Sequence, residues 1–99
     1  MKVEVSEYAA GQLESIWDHH ALEVNVRVAD RITKKIVDDI EWLGSHPHGG
    51  QYEPLLEHLN MGHRRWVCGH YKILYRIVEE TVFISDIFDA RQDPDKMAW

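Results

Sequence analysis

From Tyr71 to Val78 the chain alternates strictly: Tyr71, Ile73, Tyr75 and Ile77 point one way, and Lys72, Leu74, Arg76 and Val78 point the other. A period of two is the signature of an extended strand whose faces have different surroundings, so this segment is hard to place in a helix. Thr81 to Phe88 follows at once, rich in β-branched and aromatic residues. Upstream, His63 to Gly69 also alternates, with Arg64, Trp66 and Cys68 opposed to Arg65 and Val67. Three such runs in succession read as an antiparallel meander. Glu79-Glu80 is a poor sequence for a primed two-residue turn, which points to a longer loop between the last two strands.

A sheet with an apolar face needs a cover, and the first half of the chain supplies one. Val3 and Val5 share a face of a short opening strand, Lys2 to Val5. Ser6 is a natural helix cap, with Glu7 in the first turn suiting the helix dipole. Ala10, Leu13, Ile16, Trp17 and His20 then recur at three- and four-residue spacing. This helix is expected to fray near His19-His20, adjacent residues that face different sides and cannot chelate one metal unaided. A second helix begins between Ala21 and Val26, with Val28, Ile32, Ile36, Ile40 and Leu43 as its apolar stripe. Asp30 and Lys34 are spaced as a favourable pair, whereas Arg31 and Lys35 place like charges four apart. Gly44 and Pro47 are expected to stop the helix.

His46 and His48 lie in a Gly- and Pro-rich loop with no Cys, Asp or Glu at ligand spacing, so a surface turn is expected and no metal site. Leu55, Leu56 and Leu59 form either a helical turn or a short strand. The predicted fold class is therefore α+β: an N-terminal strand, a two-helix hairpin and an antiparallel meander packed against the helices. The expected core is Leu13, Ile16, Trp17, Ile32, Ile36, Ile40, Leu43, Ile73, Tyr75, Ile77, Val82 and Ile84. Ninety-nine residues suffice for one domain, 1–99, with a single core.

Composition narrows the function. No run approaches the roughly 18 apolar residues of a membrane span, and the N-terminus lacks an apolar signal core, so a cytoplasmic protein without membrane contact is expected. Cys68, the only cysteine, falls inside a strand, where a thiol is normally a small buried hydrophobe. A net charge of -6 disfavours non-specific coating of nucleic acid. Yet no acidic residue lies between Glu57 and Glu79, while Arg64, Arg65, Lys72 and Arg76 all do. That basic sector suits an anionic partner, or serves carboxylates of the helices.

The order of elements resembles the RelE/ParE superfamily of toxin proteins. Gly69-His70-Tyr71-Lys72-Ile73-Leu74-Tyr75-Arg76-Ile77 is similar to that family's Tyr-Arg-x-x-Tyr-x-Val strand, and Thr81 to Ile87 to its next strand. Ala90-Arg91-Gln92-Asp93-Pro94 resembles its Arg-x-Asp close, and His46-Pro47, Gly50 and Arg65 fall where members place Pro, Gly and Arg. The resemblance implies the toxic half of a bacterial type II toxin–antitoxin pair, held inactive by a cognate antitoxin and needing no cofactor. A homodimer and a toxin–antitoxin hetero-oligomer both stay open.

Two activities are implied. RelE-like members cut messenger RNA in the ribosomal A site without a metal; ParE-like members inhibit DNA gyrase. Metal-free cleavage needs a base, a cation for the phosphorane charge and an acid. A set drawn here would use Glu57 or His63 as base, Arg65 and Arg91 as phosphate clamps and His70 as acid. Against it, Val67 stands where the RelE pattern has Arg, Met97 stands where a Tyr acid is expected, and Glu53, Glu57 and His58 replace a Lys cluster. The ParE-like reading needs no such set and is preferred, with the helical hairpin and the tail from Arg91 to Trp99 as gyrase contacts. Trp99 would be an aromatic anchor, and Arg64 and Lys72 further binding residues. A module that keeps only its antitoxin contact is the third reading.

Overall fold

The computed structural model describes residues 1–99. Its elements in chain order are β1 (Lys2–Val5), α1 (Glu7–Glu23), α2 (Val26–Ser45), β2 (Gln51–Tyr52), a short 3₁₀ helix (Pro54–Leu59), β3 (Arg64–Cys68), β4 (Tyr71–Val78) and β5 (Thr81–Asp89), followed by a 3₁₀ turn (Pro94–Lys96). The five strands form one sheet in the order β1-β5-β4-β3-β2. β2, β3, β4 and β5 run antiparallel in sequence, as the alternation predicts. β1 instead joins β5 in parallel, with Val3 beside Val82 and Val5 beside Ile84.

Local chemistry explains most element ends. The Ser6 hydroxyl accepts from the Ala9 amide, and the Asn25 side chain does the same for Val28 at the start of α2. α1 does not fray at His19-His20 but runs on to Glu23, because the His20 ring makes a hydrogen bond with the Tyr71 hydroxyl at 3.0 Å. α2 extends one residue past Gly44. Lys34 pairs with Asp38 rather than with Asp30, which accepts from the Trp17 indole at 2.8 Å. Gly69-His70 makes a two-residue turn between Cys68 and Tyr71, with Gly69 in the left-handed region at φ 62°. Glu79-Glu80 is also a two-residue turn, not the longer loop expected, and Glu79 takes φ 57° where Gly or Asn is usual.

The helices cover one face of the sheet. Ile16, Ile36, Ile40, Leu43, Ile73, Tyr75, Val82 and Ile84 are buried there as expected, with Ala9, Cys68, Tyr71 and Ile87, and Leu13 and Ile32 pack at their edge. Trp17 and Ile77 are only half-buried and lie outside this core. The other face is not bare. Leu74 and Phe88 are buried with Leu56 of the 3₁₀ helix and Met97 of the tail, forming a second cluster. The tail is tied down: the Asp86 carboxylate accepts from the Ala98 amide at 3.0 Å, and the Ser85 hydroxyl donates to the Ala98 carbonyl at 3.1 Å. Between Leu74 and Tyr75 the β4–β5 register shifts, leaving Ser85 unpaired as a bulge.

Candidate functional site

Alternation decides which chemistry each face of the sheet carries. Arg65 lies opposite Leu74, and Val67 opposite Lys72, so Arg65 and Lys72 project from the face away from the helices. Glu53, at the start of the 3₁₀ helix, is brought between them. Its side chain is fully buried, 3.0 Å from the Arg65 guanidinium and 3.2 Å from the Lys72 ammonium. Arg65 also donates to the Tyr52 carbonyl and the Gln51 side chain. Arg64, on the other face, donates to the Gly50 carbonyl at 2.8 Å and stacks over the Tyr52 ring. Three cations of the basic sector are thus bound into the segment from Gly50 to Glu53. The carboxylate partner is this loop residue, not a helix.

Beside that network a cavity of about 390 Å³ is lined by Tyr52, Glu53, Glu57, Asn60 and His63, among others. Glu57 is exposed, whereas His63 is buried and neither ring nitrogen has a hydrogen-bond partner. Burial pushes the His63 imidazole below its ordinary value; the Trp99 backbone opposes this and the Arg76 charge adds to it. The unfolded chain therefore takes up this proton first as pH falls below about 6.5, and stability drops by up to about 1.4 kcal/mol per pH unit until the folded value is reached. Asp86 acts in the opposite sense, since burial raises its carboxyl. Comparing the wild type with His63→Gln cancels that contribution. The stability difference measured by urea unfolding should shift against the wild type as pH is lowered from about 7.5 to about 5.5, and stay level if the imidazole is not held below its ordinary value.

His70 and Arg91 lie elsewhere. The Gly69 turn presents His70 at one end of the sheet, where its carbonyl accepts from the Ala90 amide. Arg91 is exposed and grips Asp89 through Nε and Nη2 at 2.9 and 2.8 Å, a contact that holds the Asp89 carboxyl below its usual range. Both open onto a cavity on the helix side, not the cavity of Glu57 and His63. Trp99 is 61% exposed although Met97 before it is buried, so the tail is anchored while its last ring stays outside.

Cys68 is buried, and burial together with the hydrogen bond to Asp39 pushes its thiol up to about 11. A thiolate nucleophile is not available near neutral pH. A thiol reagent at pH 8 should modify the folded protein far more slowly than the urea-unfolded chain, a contrast read from absorbance of the released chromophore. No group of three or more His, Cys, Asp or Glu side chains is arranged to hold a metal ion. His46 lies instead against the Trp42 ring at 4.1 Å. No helix is long and apolar enough to cross a membrane.

Pairwise spacing hinted at few of these contacts. Glu53 reaches its cations across a loop, and the tail reaches Ser85 and Asp86 through backbone groups that no motif marks. The like charges at Arg31 and Lys35 were visible but not their surroundings.

Comparison with curated protein sequences finds no match. Among solved structures, the chain is similar to one described as the chromosomal ParDE TA system from P. aeruginosa, with a TM-score of 0.74 and 19% identity over 90% of this chain and 95% of that one. At that identity the likeness speaks for the fold. A family model described as the ParE toxin of the type II toxin-antitoxin system parDE matches residues 3–94, and the chain belongs to that family.

Proposed function

We propose that residues 1–99 act as one toxin domain that inhibits DNA gyrase by protein contact, and that a cognate antitoxin neutralises it. The observation that carries this choice of target is the separation of the residues a ribonuclease would need. Metal-free RNA cleavage requires base, acid and phosphate clamp to meet at one reacting centre. Glu57 and His63 open on one cavity, His70 and Arg91 on another, and Arg65 is committed to the buried Glu53.

A protein target needs no such convergence. It needs exposed apolar anchors on a rigid support, and the junction of the helices offers Leu22 in the last turn of α1, 85% exposed, with exposed Val24 in the link and Val26 at the start of α2. Trp99 adds an aromatic anchor at the tail. Gyrase and antitoxin both place the action in the cytoplasm, with a toxin–antitoxin hetero-oligomer as the resting form. The antitoxin partner is supported by family membership and by the toxin–antitoxin system named for the similar structure.

Induced expression of the chain alone in a bacterium should arrest growth and raise a DNA-damage reporter, as stalled gyrase does. Co-expression of the adjacent small gene should restore growth. Unimpaired growth without the antitoxin would overturn the toxin assignment and favour a module that keeps only its antitoxin contact. Arrest without the DNA-damage signal, accompanied by cuts at ribosome-bound codons, would overturn the gyrase assignment.

A further inference from the structure

The helix-side cavity, about 640 Å³, lies between the end of α1, the first half of α2, the β3–β4 turn and Arg91. Its walls have two parts. The apolar part is Ile32, Ile36, Cys68 and Tyr71. The polar part is His19, His20, Arg31, Lys35, His70 and Arg91, and no carboxylate lines the cavity. In a chain with 17 acidic and 11 basic residues, a concavity lined by cations and imidazoles without one carboxylate runs against composition.

The charges are also placed at a cost to the fold. Arg31 and Lys35 are four apart on α2, where like charges destabilise a helix. Lys35 is offset by Asp39 at 2.6 Å and Arg91 by Asp89 at 2.8 Å, but Arg31 has no ion pair. His70 also offers its side chain without a hydrogen-bond partner, while His20 is fixed by Tyr71. Guanidinium forks and imidazole N–H groups around a concavity match phosphate oxygens, and the volume suits a small molecule rather than a polymer.

We infer that this cavity binds a small phosphorylated ligand of nucleotide class. Its phosphates meet Arg31, Lys35, His70 and Arg91, and its ring lies against Ile32 and the exposed edge of Tyr71. The site is independent of the gyrase assignment and would stand if that assignment failed.

The test is isothermal titration of the full chain with ATP, inorganic tripolyphosphate, adenosine and a hexaglutamate peptide, in low salt. ATP should bind saturably, tripolyphosphate more weakly, and adenosine not detectably. Arg31→Ala and His70→Ala, both at accessible positions, should weaken ATP at least tenfold. Arg27→Ala should leave binding within twofold, because Arg27 removes the same charge from the same helix outside the cavity. Circular dichroism of each variant checks that the fold is kept. Absence of saturable ATP binding at millimolar concentration would overturn the inference. So would an Arg27→Ala loss equal to that of Arg31→Ala, or adenosine binding as tightly as ATP. Hexaglutamate binding where ATP does not would assign the surface to an acidic peptide instead.

Discussion

Glu53→Ala is expected to destabilise the fold by about 3 kcal/mol and to lower the urea midpoint by about 1.5 M. The carboxylate is fully buried between Arg65 and Lys72, which keep 24% and 20% of their side-chain surface exposed. Removing the anion leaves two cations facing each other with only partial access to water. Breaking a fully buried pair costs about 3–5 kcal/mol, and the exposed fraction of the cations places this case at the lower end. Adding Lys72→Met should recover about 1 kcal/mol, because it removes one uncompensated charge from the same network. A midpoint change below about 0.3 M for Glu53→Ala would show that the network does not hold the 3₁₀ helix to the sheet.

Gly50→Ala should have an effect of similar size for a different reason. A Cβ there would lie 2.6 Å from the Arg65 carbonyl oxygen and 2.6 Å from the Tyr75 hydroxyl. Neither neighbour can retreat cheaply. The carbonyl belongs to β3, and the hydroxyl accepts from the Gly50 amide at 2.8 Å while donating to the Pro47 carbonyl at 2.9 Å. Overpacking against backbone plus strain on a buried hydrogen bond gives a loss of about 2–4 kcal/mol. For a domain of this size the melting temperature should fall by more than about 10 °C. Tyr75→Phe alone leaves the Gly50 amide and the Pro47 carbonyl unmet, costing about 1–3 kcal/mol. The double variant should lose less than the sum, since both changes act on one contact. Strict additivity in calorimetry would contradict this account of the loop.

These two sites mark where sequence reasoning stops. Alternation in Arg64–Cys68 and Tyr71–Val78 assigns faces correctly, so Arg65 and Lys72 project away from the helices while Tyr71, Ile73 and Tyr75 face them. Helix caps at Ser6 and Asn25 obey local chemistry that a single residue type can announce. Partners are another matter. Alternation says that Lys2–Val5 is a strand but carries no information on its neighbour, and β1 turned out parallel to β5. The second cluster was hidden because half its members sit on short, irregular segments: Leu56 in a six-residue 3₁₀ helix and Met97 in the tail. In the sequence Met97 is marked only as the place of a missing Tyr. The Ser85 bulge depends on hydrogen bonds to Leu74 and Ala98, which are long-range and invisible to periodicity.

The candidate site was legible residue by residue but not as an arrangement. Arg65, His63, Glu57, His70 and Arg91 are all polar groups at or beside the sheet, yet Glu57 and His63 line one cavity, His70 and Arg91 another, and Arg65 neither. In the sequence the basic sector suits an anionic partner. Two of its four cations, Arg65 and Lys72, instead share the buried Glu53 carboxylate, whose role depends on a loop conformation fixed by Gly50 and Tyr75. The cations and imidazoles that do gather come from α1, α2, the β3–β4 turn and the segment after β5, which only the folded chain brings together.

Supercoiling of relaxed plasmid by purified DNA gyrase, titrated with the full chain, tests the proposed target most directly. Supercoiling should fall in a dose-dependent manner, and equimolar antitoxin should restore it. Arg65→Ala and Arg91→Ala variants that remain folded should still inhibit, Arg91→Ala with at most a weakened affinity because it borders the contacting tail. Unimpaired supercoiling, together with site-specific cuts in ribosome-bound mRNA that vanish in those two variants, would contradict it.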